Sequence, residues 1–182
     1  DKPRYDALNL GYIRFHDAPI DNASFNLVDV SRIFPLFHLD ESDERNYKFA
    51  QTDDYMSYLK GNSAEVDFRL GETVDHSGFS RNVKAPLDAD KWARICRNII
   101  GHYKNGEMGG MHLNITRVSV WEEPDNSMLF DGTIEQYVEL FCKTYKLLKR
   151  DFPDIKVGGP CSMSDTEYTD KFLTLCKKEG VV

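Results

Sequence analysis

Two adjacent glutamates, Glu122 and Glu123, follow an apolar, β-branched run and stand directly before Pro124. A carboxyl group that is kept protonated can donate a proton to a leaving oxygen, while a second, ionised carboxylate attacks a sugar or activates water. Hydrolysis of a glycosidic bond needs such a pair. Whether these two glutamates form one depends on the strand that carries them.

The run before the glutamates, residues 114–121, has the composition of a β-strand. Side chains alternate between the two faces of a regular strand, so Glu123 shares a face with Trp121 and Ser119, whereas Glu122 shares the other face with Val120. The two carboxyls therefore diverge. We predict that they are not a catalytic pair by themselves.

Residues capable of chemistry also follow the other predicted strands. His16 and Asp17 close the first strand, Glu72 follows the second, and Cys161 follows the fourth. In parallel βα folds, ligands bind at the carboxyl ends of the strands. A charged residue also marks the point where a strand reaches water, so each of these residues, taken alone, has that simpler explanation.

The elements that must position these residues alternate along the chain. The three longest predicted helices carry apolar residues at helical spacing, and Thr133 with Gln136 and Ser164 with Glu167 have the capping-box pattern. Alternating strands and helices predict βα units and a parallel sheet. The strands are predicted at 12–16, 65–71, 114–121 and 155–159, and the helices at 53–60, 88–104, 133–150 and 164–178.

The length of the chain places these elements in a larger architecture. A parallel barrel needs eight strands and typically about 250 residues, whereas the 182 residues contain four predicted strands. Two valines follow the helix end at Gly180, where a fifth strand should begin. We therefore interpret residues 1–182 as a single domain that is part of a larger protein.

Composition and charge exclude several classes of partner. With 41% hydrophobic residues and a formal net charge of −7, the chain is typical of a globular domain whose partner is neither a nucleic acid nor a membrane. The sequence has no apolar run long enough to cross a bilayer, and its first residues show no signal peptide. It indicates neither the oligomeric state nor the cell compartment.

Motifs for cofactors and metals are absent from the sequence. No GxGxxG motif and no phosphate-binding loop follows a strand, and the histidines show no metal-ligand spacing. We predict neither a cofactor nor a metal. We interpret the cysteines as small, reduced core residues, with a disulfide as the alternative, for Cys96, Cys142, Cys161 and Cys176.

Four stretches of the sequence carry a family resemblance: YIRFHD at 12–17, DADKW at 88–92, SVWEEPDNSMLFDGTIEQY at 119–137 and IKVGGP at 155–160. In this order they are similar to motifs of glycoside hydrolase family 39, the β-xylosidase and α-L-iduronidase family. The third stretch resembles the family's Trp-Asn-Glu-Pro-Asn segment, which is followed by an aromatic pair, Gly-Thr and Glu-Tyr. The others resemble its Arg-x-His strand end, its Lys-Trp helix start and its Lys-Val-Gly-Gly-Pro strand.

The resemblance implies an α/β fold, a (β/α)8 TIM barrel of which this chain covers roughly strands 2 to 5, so that we expect it to be truncated at both ends. It implies that Glu123 is the general acid/base and that His16 and Arg14 line the sugar subsite. The nucleophile, a second glutamate, is expected beyond Val182. Glu72, at a neighbouring strand end, is a further candidate for substrate binding.

Two positions depart from the family pattern. Glu122 stands where the family has an asparagine whose amide donates toward the sugar 2-hydroxyl, and an ionised carboxylate can accept from that hydroxyl but cannot donate. Leu129 and Phe130 stand where the family has an aromatic pair. We expect Phe130 at the rim of the sugar subsite.

These observations leave three functional hypotheses. The first is a retaining glycosidase that acts on xylosides or on related pentosyl or uronyl glycosides, with an oligosaccharide or glycoside as its substrate. The second is a carbohydrate-binding barrel without catalysis, suggested by Glu122 and by the altered aromatic pair. The third is a metal-dependent hydrolase that uses His16, Asp17 and Glu72.

Overall fold

The computed structural model describes residues 2–15, 26–73, 82–163 and 165–181. Within these residues, four parallel strands form one sheet in the order β1-β2-β3-β4. The predicted parallel sheet of alternating strands and helices is confirmed. The strands are β1 at Tyr12–Arg14, β2 at Glu65–Leu70, β3 at Ile115–Val120 and β4 at Lys156–Gly158.

Helices connect successive strands and cover one face of the sheet. In the described parts of the chain, 3₁₀ turns supplement them at Glu44–Asn46, Ser57–Leu59 and Glu107–Gly109. Helix α4 packs against α5, and α5 packs against α6. The helices are α1 at Lys2–Ala7, α2 at Val30–Ile33, α3 at Ala50–Met56, α4 at Ala89–Asn105, α5 at Ile134–Asp151 and α6 at Thr166–Lys178.

The two longest helices begin where the sequence supplies a cap. The side chain of Asp88 accepts the backbone N–H of Lys91 at 2.9 Å and begins α4. The predicted capping box of Thr133 and Gln136 begins α5, with both of its hydrogen bonds present. Each cap satisfies backbone donors that have no partner inside the helix.

Two other helices differ from their predicted limits. The side chain of Asp165 accepts the backbone N–H of Tyr168 at 2.9 Å, so Asp165 caps α6 instead of the predicted Ser164, which lies outside the described residues. Helix α3 begins at Ala50, three residues before the predicted start, and continues into a 3₁₀ turn. Asp and Ser are both strong N-cap residues, so the spacing alone could not distinguish them.

The face of the sheet that meets the helices is apolar. Val66, Phe68 and Leu70 alternate along β2 and are buried, as are Val118 and Val120 on β3. The core that they form with α4 and α5 fixes the position of the strands relative to the helices. The strand ends therefore have defined positions.

The opposite face carries polar side chains that bind each other. Arg117 on β3 forms an ion pair with Glu65 on β2 at 2.9 Å, and its guanidinium carbon lies 4.9 Å from the centre of the Tyr12 ring. Asp67, two residues after Glu65, accepts a hydrogen bond from the hydroxyl of Tyr12 at 3.0 Å. In a closed barrel this face would be the interior.

All four cysteines are free thiols. Cys96, Cys142 and Cys176 are buried, as predicted, whereas Cys161 is half-buried at the end of β4. The sulfur atoms of Cys142 and Cys176 lie 3.9 Å apart, without a bond between them. None of the helices in the described part of the chain is long and apolar enough to span a membrane.

Candidate functional site

Arg14 and Glu122 meet at the carboxyl end of the sheet. The Nη2 atom of Arg14, the last residue of β1, donates to Oε2 of Glu122 at 2.5 Å. Both side chains are largely shielded from water, with 28% and 10% of their surfaces exposed. Burial acts to lower the pKa of the Arg14 guanidinium, but the hydrogen bond and the charge of Glu122 outweigh it and raise that pKa. The two residues form a firm charge pair.

Glu122 reaches Arg14 because β3 does not continue past Val120. Trp121 has a φ of 64° and Glu123 a φ of 42°, so the backbone turns at both residues. This corrects the expected alternation: Glu122 does not share the helix-facing side with Val120. The sequence could not reveal the turn, since neither Trp121 nor Glu123 is a residue type that favours a left-handed conformation.

Trp121 is turned into the core instead of sharing a face with Ser119. Its indole N–H donates to the carbonyl of Leu129 at 2.8 Å, and its ring packs on Trp92 and Phe130. Only 1% of the residue is exposed. Trp121 therefore anchors the turn that presents the two glutamates.

Glu123 is half-buried, and its backbone is held from two sides. Its N–H donates to the carbonyl of Cys161 after β4 at 3.2 Å, and its carbonyl accepts the N–H of Asn126 at 2.9 Å. These bonds tie the residue after β3 to the neighbouring strand end. A carboxyl with a fixed backbone and a partly exposed side chain suits proton transfer to a bound molecule.

Asp67 was not singled out from the sequence, yet it lies at the centre of the polar face. Its carboxylate accepts from the hydroxyl of Ser119 at 2.9 and 3.0 Å and from that of Tyr12 at 3.0 Å. Its Oδ2 also lies 3.9 Å from Nε of Arg14. The signal was present in the alternation of Glu65, Asp67 and Arg69 with apolar residues along β2.

Cys161 lies next to the Arg14–Glu122 pair. Its sulfur is 3.9 Å from Nη2 of Arg14, and the residue has a φ of 52° after the cis peptide bond of Pro160. Burial, together with the charge of Glu122, raises the pKa of the Cys161 thiol. The thiol therefore stays neutral and adds no charge to the site.

Glu72 is buried, and the residues that it contacts are not those of the Arg14–Glu122 pair. Its carboxyl accepts from the backbone N–H and the hydroxyl of Ser31 at 3.0 and 2.6 Å. Burial, and after it the charge of Asp29, raises the pKa of Glu72 to about 8. The side chain lines a cavity of about 540 Å³ that it shares with Trp92 and Trp121. The structure thus shows no contact that joins Glu72 to the Arg14–Glu122 pair among the described residues.

Phe130 lies in the core, where only 1% of its surface is exposed. The ring packs edge-on against Trp121 and Tyr137. A sugar stacks on an exposed aromatic face, which Phe130 does not offer in this structure. The expected position at the rim of a subsite is therefore corrected, because the ring completes the packing around Trp121.

His16 and Asp17 lie outside the described residues, so their predicted places in the site are not described. Among the residues that are described, no group of three or more His, Cys, Asp and Glu side chains is arranged to hold a metal ion. His102 is engaged in the fold: its two ring nitrogens lie 2.9 Å from a carboxylate oxygen of Asp53 and 3.0 Å from the carbonyl oxygen of Glu107.

Comparison with known proteins gives a family match over nearly the whole chain and relatives that match half of it or more. The sequence model described as "Glycosyl hydrolases family 39" matches residues 3–182. A β-xylosidase of Caldicellulosiruptor saccharolyticus is 24% identical over 97% of this chain, and one of Geobacillus stearothermophilus is 30% identical over 55% of it. The chain spans 35% and 20% of these two relatives.

The fold also resembles solved structures. The crystal structure of a glucosidase from Croceicoccus marinus matches 95% of this chain with a TM-score of 0.75 and 23% sequence identity, and the chain covers 42% of it. Structural neighbours of this kind have a TIM-barrel fold, which confirms the predicted architecture. The four parallel strands described above are part of such a barrel.

Proposed function

The chain belongs to glycosyl hydrolases family 39, and from that membership we propose that the protein hydrolyses glycosidic bonds. The observation that carries the proposal is the match of the family over residues 3–182, which includes the strand end with Glu123. Because the chain spans 35% of its β-xylosidase relative from Caldicellulosiruptor, the proposal concerns the protein that contains these residues. Its substrate class is a glycoside.

Within this proposal, Glu123 is the general acid/base of a retaining mechanism. The acid donates a proton to the leaving oxygen and later removes one from water, while a second carboxylate about 5 to 5.5 Å away attacks the sugar. That nucleophile would come from outside the 182 residues. The backbone bonds of Glu123 to Cys161 and Asn126 support its role, since they fix its main chain at the strand end.

The proposed substrates are xylosides or related pentosyl or uronyl glycosides. Two relatives that carry the name β-xylosidase support the first of these choices. Arg14 and Glu122 are proposed to line the sugar subsite, together with His16. Guanidinium N–H groups donate to sugar hydroxyls and a carboxylate accepts from them, so the paired side chains offer both kinds of contact.

The substitution Glu123→Gln tests the assignment. We expect kcat/KM on an unactivated xylobiose to fall by about 10²- to 10⁴-fold, because the amide cannot protonate the leaving oxygen. With 4-nitrophenyl xyloside the bond-breaking step should be affected much less, since that leaving group needs little protonation. Glu135→Gln on the exposed side of α5 is the control and should retain full activity.

Full activity of the Glu123→Gln protein on xylobiose would remove Glu123 from the mechanism. Tight binding of xylo-oligosaccharides by the wild-type protein, without release of reducing sugar from any glycoside tested, would contradict the glycosidase. It would favour a carbohydrate-binding barrel instead.

A further inference from the structure

The guanidinium of Arg14 contacts two carboxylates, one from β2 and one from the turn that follows β3. Its Nη2 is 2.5 Å from Glu122, and its Nε is 3.9 Å from Asp67. We propose that Asp67 is a positioning residue of the active site, which acts through Arg14 to fix the position of Glu122, the residue next to Glu123. We call Asp67, Arg14 and Glu122 the strand-end triad. The inference rests on the proposed role of Glu123 as acid/base.

Asp67 is rigid enough to serve as the anchor of the triad. An ionised carboxylate offers about four lone-pair sites, and hydroxyl groups from strands on both sides bind this one: Tyr12 from β1 and Ser119 from β3. Only 7% of Asp67 is exposed. Its charge therefore stays in one place relative to the sheet and gives Arg14 a fixed partner.

Arg14, held by Asp67, in turn holds Glu122 in a fixed position. The charge pair is shielded from bulk water, so its attraction is stronger than that of an exposed pair. The sulfur of Cys161 lies 3.9 Å from the same Nη2 atom of Arg14 that binds Glu122. Held in this way, Glu122 cannot swing toward the substrate or away from it without breaking the pair.

The triad sets the charge next to the proposed acid/base. Among the described residues, the charged groups at this strand end are Arg14 from β1, Asp67 from β2, and Glu122 and Asp125 on the loop of Glu123. The thiol of Cys161, from the β4 side, is neutral. A nearby negative charge favours the protonated form of an acid, and a positive charge favours the ionised form. Arg14 and Glu122 should therefore act on the proton of Glu123 in opposite directions.

The pH–activity profile of the whole protein tests this opposition. The alkaline limb reports the loss of the proton from the general acid. We expect Arg14→Gln to move that limb to higher pH and Glu122→Gln to move it to lower pH, each by about one unit. Arg14→Lys keeps the positive charge and should leave the limb where it is in the wild type. A purely structural role would not give shifts of opposite sign.

A double-mutant cycle tests the part played by Asp67. We expect Asp67→Asn to lower kcat/KM about tenfold, and to lower it by less than twofold when Arg14→Gln is already present. Tyr12→Phe removes one neutral donor to Asp67 and should give a smaller fall, which provides a second test if Asp67→Asn does not fold. The matched control is Glu65→Gln, whose ion pair lies on the same face at the other end of the strand.

The possible outcomes separate the triad from the proposed function. Shifts of the same sign for Arg14→Gln and Glu122→Gln, or no shifts in proteins that thermal unfolding shows to be folded, overturn the triad and leave the glycosidase intact. If Asp67→Asn still lowers kcat/KM about tenfold when Arg14→Gln is already present, Asp67 does not act through Arg14. Unchanged activity of Glu123→Gln overturns the proposed acid/base, and the triad with it.

Discussion

Glu72 is a buried candidate carboxyl whose hydrogen bonds come from an uncharged residue. Ser31 donates two hydrogen bonds to it, and 7% of the residue is exposed. Burial and the nearby charge of Asp29 raise the pKa of Glu72 to about 8 from an ordinary 4.5. The folded protein therefore keeps a proton on Glu72 at pH values at which the unfolded chain has lost it.

We expect Glu72→Gln to remove a pH-dependent loss of stability. Between pH 4.5 and about 8 the unfolded state binds fewer protons at this position, so the free energy of unfolding of the wild type falls as the pH rises through that window. The variant should gain roughly 1 to 3 kcal/mol relative to the wild type between pH 4 and pH 8. Urea unfolding at both pH values measures the difference.

The exposed Glu44→Gln serves as the control for that measurement, and its stability relative to the wild type should not depend on pH in this way. If the difference in the free energy of unfolding between Glu72→Gln and the wild type is the same at both pH values, the carboxyl ionises freely in the folded state. The hydrogen bonds from Ser31 would then outweigh its burial.

Among the elements, the ends of β2 and β3 fit each other through Gly71 and Trp121. The backbone N–H of Trp121 donates to the carbonyl of Leu70 at 2.6 Å. Gly71 has a φ of 123°, and a Cβ atom placed on it would lie 3.0 Å from the Cα of Trp121. The turn that carries the two glutamates thus needs a glycine on the neighbouring strand.

Gly71→Ala should therefore destabilise the protein by about 2 kcal/mol or more. Two effects add here, the strained φ and the contact with the Trp121 backbone. Thermal unfolding measures the loss, and the tryptophan fluorescence of the folded variant should change because the surroundings of Trp121 change. Gly11→Ala, whose Cβ meets nothing within 4 Å, is the control. Equal stability of the two variants would contradict the tight fit.

The sequence predicted the three longest helices to within two residues at each end, but it missed the short helices α1 and α2 and the turn after β3. Helix starts such as Thr133 follow from local capping, which needs no information from distant residues. The turn at Trp121 depends instead on Gly71 and on packing partners far along the chain. For this reason the alternation predicted for Glu122 failed, and its ion pair with Arg14 could be found only in three dimensions.

At the scale of the whole molecule, the buried Glu72 and the half-buried, ion-paired Asp151 respond to pH in opposite ways. Hydrogen bonds from Arg150 and Arg97 lower the pKa of Asp151 to about 2. The stability that Asp151 contributes is present above its ordinary pKa of 3.8 and is lost as the pH falls toward 2. Glu72 acts in the other direction, because its contribution is lost as the pH rises.

The stability of the wild-type protein should consequently be greatest at mildly acidic pH, between about 4 and 6. Below that range Asp151 and other paired carboxylates take up protons, and above it Glu72 and the growing net negative charge oppose folding. Thermal midpoints measured from pH 2 to pH 9 give the profile. A maximum above pH 7 would show that neither carboxyl dominates the titration.

Under the acid/base role proposed for Glu123, its left-handed backbone implies a conflict between stability and catalysis. A non-glycine residue at a φ of 42° strains the chain by roughly 1 kcal/mol or more, and glycine would relieve that strain while deleting the carboxyl. Selection for thermal resistance alone would therefore favour loss of this glutamate. Only selection for activity can retain the glutamate. A library of variants selected for thermal stability alone should therefore accumulate inactive proteins in which glycine replaces Glu123.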